Sequence, residues 1–225
     1  AMAAAVAFKT VVFMGSARNV TPPWGGDKRL GDRVLKHVVD TLKARSTTFG
    51  SQSVTHDVTV MDPVEIFGEG GAMEGDGHLT TPHFFLANGA KPKWDELRDT
   101  IKAADCYVIV TAEYNHNLPP ALTSLMGHFG GSNYKCKPSA VVTYSVGPWG
   151  GMRAAMAARP LLSELGCLPV SKLTAYPSAG DLFQETGEPK DPEARMLKQL
   201  PAMLGELEWM SLAMKNMRDS AGLPA

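Results

Sequence analysis

Ser16 and Arg18 stand two residues apart, directly behind Gly15 and the apolar run of residues 11–14. A hydroxyl and a guanidinium at the mouth of a buried strand, beside backbone N–H groups freed by a turn, suit a phosphate monoester. An ordinary strand-to-helix turn has the same composition, so this stretch decides nothing alone. Two later loops add different chemistry. Residues 112–117 (AEYNHN) offer backbone N–H and C=O groups, the amide of Asn115 and the ring of Tyr114, which suit the imide-like edge of a planar heterocycle. Residues 145–151 (SVGPWGG) pair small residues that admit close backbone approach with Trp149 as an aromatic wall.

Such loops need rigid elements behind them. Residues 11–14 with Phe8, 106–112 (CYVIVTA) and 139–145 (SAVVTYS) are apolar runs that predict strands, the first buried on both faces. Residues 54–61 alternate and predict a strand nearer a sheet edge, and 168–175 predict a final one. Leu30, Val34, Leu35, Val38 and Leu42 predict a helix over 28–45. Further helices are expected over 94–104, from Pro119 or Pro120, and over 151–165 up to Gly166. Residues 62–93, with GEGGAMEGDG, predict a surface excursion. In the tail, Met196, Leu200, Met203, Leu207, Met210, Met214 and Met217 step by four and three, predicting helix over 191–217 with a kink or two abutting helices at Pro201. That methionine stripe reads as core or subunit packing.

Strand and helix alternate along the chain, which argues an α/β three-layer sandwich with a five-stranded parallel sheet. In the order 2-1-3-4-5 the three loops leave the carboxyl ends of central neighbours and converge on one crevice. We expect one domain over 1–225, with a helical extension from about 191.

Composition narrows the function. Twenty-two basic against 23 acidic residues leave a net charge of −1, without the footprint of a nucleic-acid or anionic-membrane binder. Cys106, Cys136 and Cys167 form no framework or zinc pattern and read as reduced and mostly buried. The histidines, including His78 and His83, have no metal-ligand spacing. No apolar run approaches the ~18 residues of a membrane span, and the first residues lack the basic region of a signal peptide. A soluble cytoplasmic protein is expected.

A flat, phosphorylated, hydrogen-bonding ligand fits the three loops together, and FMN leads the candidates. GSAR at residues 15–18, AEYNHNLPPAL at 112–122 and SVGPWGGMRA at 145–154 match, in order and separation, the NAD(P)H-dependent FMN reductase family of the flavodoxin-like fold. The chain resembles that family over residues 8–177. The resemblance implies that Ser16, Ala17, Arg18 and Thr21 hold the FMN phosphate. Ala112, Glu113, Tyr114 and Asn115 would line the isoalloxazine, and Ser145, Gly147, Trp149, Gly150 and Gly151 would close around the ring edge and ribityl chain. It further implies NADPH or NADH as reductant, a quinone-like small acceptor, and a homodimer or homotetramer.

The family usually has Pro where this chain has Ala112, and Asp-Trp where it has Gly127 and His128. Residues 20–31 (VTPPWGGDKRLG) insert into the phosphate loop, so either Thr21 or Arg29 completes that site. Because FMN carries the chemistry, no catalytic acid or base is assigned; Glu113 and His116 are read as solvated or structural. Arg153 is either a contact for an anionic group of NADPH or, by ordinary surface statistics, the partner of a neighbouring carboxylate. A flavodoxin-like electron carrier without nicotinamide turnover, or an interaction protein docking through the methionine tail, are the alternatives.

Overall fold

Side chains along a strand alternate between the two faces of a sheet, so an unbroken apolar run must be covered on both sides. The structure, a computed structural model describing residues 4–21 and 29–224, shows how that cover is arranged. The chain runs β1 (Ala4–Met14), α1 (Gly31–Ala44), β2 (Thr47–Phe49), β3 (Gln52–Met61), α2 (Pro63–Phe67), α3 (Pro92–Ala103) and β4 (Cys106–Ala112). It continues through α4 (Pro120–Gly127), β5 (Lys137–Tyr144), α5 (Met152–Glu164), β6 (Cys167–Pro169), β7 (Thr174–Tyr176), α6 (Ala179–Leu182) and α7 (Gln199–Ala221).

One face of the sheet, with Phe8, Val12 and Met14 of β1 and Val108 and Val110 of β4, packs under α1 and α7. The other, with Val11, Phe13, Tyr107 and Ile109, packs under α3, α4 and α5. Strand order is β2-β3-β1-β4-β5-β6, with β7 also beside β5. The parallel strands β3-β1-β4-β5 realise the expected 2-1-3-4 order of a flavodoxin-like sheet. Among the described residues no helix is long and apolar enough to cross a membrane.

Three expectations need correction. The fifth strand, 168–175, is two short strands: β6 pairs with the start of β5 and β7 with its end. Between them the Ser171 and Lys172 N–H groups leave the ladder and donate to the Glu206 carboxylate of α7, at 3.1 and 3.0 Å. The sheet also gains β2, an antiparallel edge joined to β3 through Gly50 at φ 59°. Three residues are too few for periodicity to reveal.

The third correction concerns the tail. Helix α7 begins only at Gln199, after a 3-10 turn at Arg195–Lys198, and runs unbroken to Ala221. Pro201 lies in its first turn, where a missing N–H costs no intrahelical bond. Leu200, Met203, Leu204 and Leu207 are buried, but the seam then continues through Glu208, Ser211 and Leu212, leaving Met217 exposed.

The polar strip has partners. Arg45 Nε and Nη2 donate to the two oxygens of Glu208 at 2.6 and 2.7 Å, and His56 Nε2 lies 3.1 Å from Oε1. His56 Nδ1 in turn meets Thr10 Oγ1 at 2.8 Å. Burial alone would raise the Glu208 pKa, but Arg45 and His56 outweigh it and hold the carboxyl at about 2.

Candidate functional site

Strands β1, β4 and β5 are neighbours, with Met14 beside Val110 and Ala112 beside Tyr144, so their three loops leave one end of the sheet. The first loop turns sharply. Gly15 donates its N–H to the Val110 carbonyl at 2.8 Å, and a Cβ there would lie 2.3 Å from Thr111 Oγ1, so only glycine passes. Ser16 follows, buried, while Ala17, Arg18 and Thr21 are exposed. Residues 22–28 of the expected insertion lie outside the described residues.

Arg29 does not compete for a phosphate. Its guanidinium binds Asp62 at 2.8 and 2.5 Å and Asp32 at 2.8 and 2.5 Å, and donates to the Ser16 carbonyl at 2.7 Å. Burial opposes its charge, yet the two carboxylates raise its pKa above the ordinary arginine value. Arg29 therefore braces the loop from behind. Asp62 also caps α2 through the Val64 N–H at 2.9 Å. Neither carboxylate was marked as functional by sequence; the position of Asp62 directly after a strand is the one signal that points to it.

Helix α1 starts at Gly31, where a Cβ would fall 2.1 Å from both Tyr144 Oη and Met14 Cε. The Tyr144 hydroxyl is buried there and has no hydrogen-bond partner among the described residues.

The second loop is a tight hairpin. Tyr114 and Asn117 exchange backbone hydrogen bonds of 2.9 and 3.0 Å, and Asn115 and His116 occupy the left-handed region at φ 51° and 64°. Asparagine tolerates that conformation at low cost, which is one structural reason for Asn115. Glu113 points away from the hairpin to the start of α5, where it accepts from the Arg153 backbone N–H at 3.0 Å and from Arg153 Nη1 at 2.5 Å. Partial burial disfavours its charge, but these donors prevail and hold the carboxyl below the ordinary glutamate value. Arg153 is thus the partner of a carboxylate. Glu113→Gln is expected to lower stability by about 1 kcal/mol, through loss of charge at the N-terminus of α5; thermal unfolding checks this.

The third loop builds itself. Ser145 Oγ donates to the Gly147 carbonyl at 2.7 Å and accepts from the Gly150 N–H at 2.8 Å, while Thr143 Oγ1 holds the Gly150 carbonyl at 2.7 Å. Gly150 and Gly151 have φ of 62° and 76°, and a Cβ at Gly151 would come 3.0 Å from the Tyr144 carbonyl. Gly147 is different: a Cβ there would meet nothing within 4 Å, so its smallness serves no internal contact. Trp149 is 66% exposed, with the Arg153 guanidinium 5.6 Å from its ring centre.

The site thus offers one braced turn, an arginine with no carboxylate partner among the described residues, a buried serine, a rigid hairpin and an open glycine. Those features fit a phosphorylated planar ligand. The side chains of Glu113 and Ser145 are spent on the protein itself, leaving only their backbones for a ligand.

The chain matches the family model described as NADPH-dependent FMN reductase over residues 8–181. A quinone reductase of Pseudomonas putida is 34% identical over 103 residues, 44% of this chain and 55% of that protein. The chain therefore spans about half the length of the curated relatives it matches. Among solved structures, FerB, a flavoenzyme NAD(P)H:(acceptor) oxidoreductase from Paracoccus denitrificans, is similar at a TM-score of 0.60 and 18% identity, over 93% of this chain and 98% of its own. An oxidoreductase from Corynebacterium diphtheriae gives 0.61 and 15%, over 92% and 98%. These two share the fold. With the family match running from β1 into α6 and taking in all three loops, the chain belongs to the NADPH-dependent FMN reductase family.

Proposed function

We propose that the protein is an FMN-dependent oxidoreductase that takes reducing equivalents from NADPH or NADH and delivers two electrons to a small acceptor such as a quinone. The observation that carries this reading is the physical joining of the loops: Ser16 to Tyr114, and Glu113 to the start of α5. Bound FMN would supply the hydride-accepting and two-electron chemistry, so the protein's task is to bind and orient.

In this reading Ser16, Ala17, Arg18 and Thr21 face the phosphate. Ala112 and Asn115 present backbone and amide groups to the ring edge, and Gly147, Gly150, Gly151 and Trp149 flank it. Glu113, engaged by the Arg153 backbone N–H and guanidinium, is assigned no acid–base role. The quinone reductase of Pseudomonas putida and the NAD(P)H:(acceptor) oxidoreductase FerB support the class of acceptor and reductant. Three free cysteines, two of them buried, accord with a cytoplasmic location.

The visible spectrum of the purified protein tests the proposal. A yellow protein that bleaches under anaerobic NADPH or NADH is expected, and a colourless one that cannot be reconstituted with FMN would end it. Flavin binding without any nicotinamide turnover would transfer the case to the electron carrier.

A homodimer or homotetramer belongs to the same reading. Met152 and Met156 are exposed one turn apart on α5, and Trp149 is exposed in the loop just ahead of that helix. Replacing Met152 and Met156 together by Glu is expected to shift the sedimentation coefficient to that of a monomer; an unchanged value would remove α5 from the interface.

A further inference from the structure

One side chain ties the second loop to the first. The Tyr114 hydroxyl lies 2.6 Å from Ser16 Oγ, and the Arg18 guanidinium carbon sits 3.7 Å from the centre of the Tyr114 ring. The Arg18 backbone N–H also reaches Ser16 Oγ, at 3.4 Å. We propose that Tyr114 is a positioning residue for the phosphate end of the flavin, and that it sets the preference for FMN over riboflavin. This inference rests on the FMN reading given above.

The hydrogen-bond inventory makes the case. A serine hydroxyl has one donor and two acceptor positions. Either hydroxyl can donate in this pair; in the arrangement that matches their acidities the Tyr114 O–H donates and Ser16 Oγ accepts. In that arrangement, with the Arg18 N–H as a longer second contact at 3.4 Å, the Ser16 proton is left to point at an oxygen of an anion. The same aromatic ring carries the Arg18 guanidinium on its face, which leaves the N–H edges of that fork free for bidentate contact with a phosphate.

The ring cannot drift from this post. Tyr114 is bonded to Asn117 through both backbone groups, and the two residues between them hold positive φ. Tyr114 thus prepares two phosphate-binding groups at once, although it comes 98 residues after Ser16 in the chain. The isoalloxazine edge is then served by the backbone of the hairpin and by Asn115.

Titrating the flavin-free protein with FMN and with riboflavin, followed by quenching of flavin fluorescence, separates the possibilities. Wild type is expected to prefer FMN. Tyr114→Phe keeps the ring and loses the hydroxyl, so FMN affinity should fall roughly tenfold while riboflavin affinity stays put, which also shows that the fold is intact. Tyr114→Leu removes the stacking as well, and its preference should approach that of Arg18→Ala. The double variant Arg18→Ala/Tyr114→Leu should lose less than the sum of the single losses, because the two residues act on one group.

Equal loss for FMN and riboflavin in Tyr114→Phe would overturn the inference by placing Tyr114 at the ring. Unchanged affinity for both would overturn it too. A wild-type protein that binds neither flavin would instead defeat the FMN reading, and Tyr114 with it.

Discussion

Glu208→Ala is expected to lower the stability of the fold by about 3–5 kcal/mol, because it strands the two groups whose hydrogen bonds the carboxylate accepts. Glu208 is fully buried and accepts both N–H edges of Arg45 as well as the contact from His56, itself buried. Removing the carboxylate leaves the guanidinium with Thr47 and the imidazole with Thr10 as their remaining side-chain hydrogen-bond partners among the described residues. Denaturant unfolding of the variant against wild type measures the loss. A change below 1 kcal/mol would show that the triad is not what fastens α7 to β3 and to the end of α1.

The same group gives a pH signature. The Glu208 carboxyl is held at about 2 in the folded protein, below the ordinary value of 4.5 that it regains on unfolding. A depressed folded value means that its contribution is complete above pH 4.5 and is lost as pH falls through 2. Wild type should therefore weaken steeply over that window, by a few kcal/mol from this group. Glu208→Gln, which has nothing to titrate there, should show a shallower acid slope. Identical slopes would assign acid sensitivity to other carboxylates.

Arg18→Ala is expected to weaken FMN binding by about 1.5–3 kcal/mol, roughly 10- to 150-fold, the worth of a charge-assisted contact. Stability should change by less than about 1 kcal/mol, since among the described residues the side chain is held only by its stacking on Tyr114. Isothermal titration with FMN and a denaturation curve on the same preparation read both. Undiminished affinity would dissolve the phosphate-loop assignment. Arg29 makes the contrast: it too lies near Ser16, but its charge is already met by Asp32 and Asp62.

What could be seen in the sequence was local. The runs at β1, β4 and β5 need cover on both faces wherever they are placed, and the glycines and polar residues behind them mark turns, so three central strands and three loops were legible. What escaped was set by partners far along the chain. Glu208 looks like a solvent-facing residue until Arg45 and His56, 163 and 152 positions away, come into contact with it. That encounter turns the seam of α7 away from Met217. Glu113 resembles a ligand contact in its motif, and only the start of α5 shows that it caps a helix. The strand expected over 168–175 breaks because Glu206 offers its N–H groups a better acceptor than the ladder does.

The margins of the sheet carry a last implication. On one side the outermost strand, β2, is three residues long, and on the other β6 and β7 are separated by a segment whose donors are occupied by a glutamate side chain. The β6/β7 rim offers no long ribbon of idle amides, but β2 covers only residues 52–54 of β3, so the outer edge of β3 over residues 55–61 has no strand partner among the described residues. Sheet extension is thereby blocked on one side and confined to that stretch of β3 on the other.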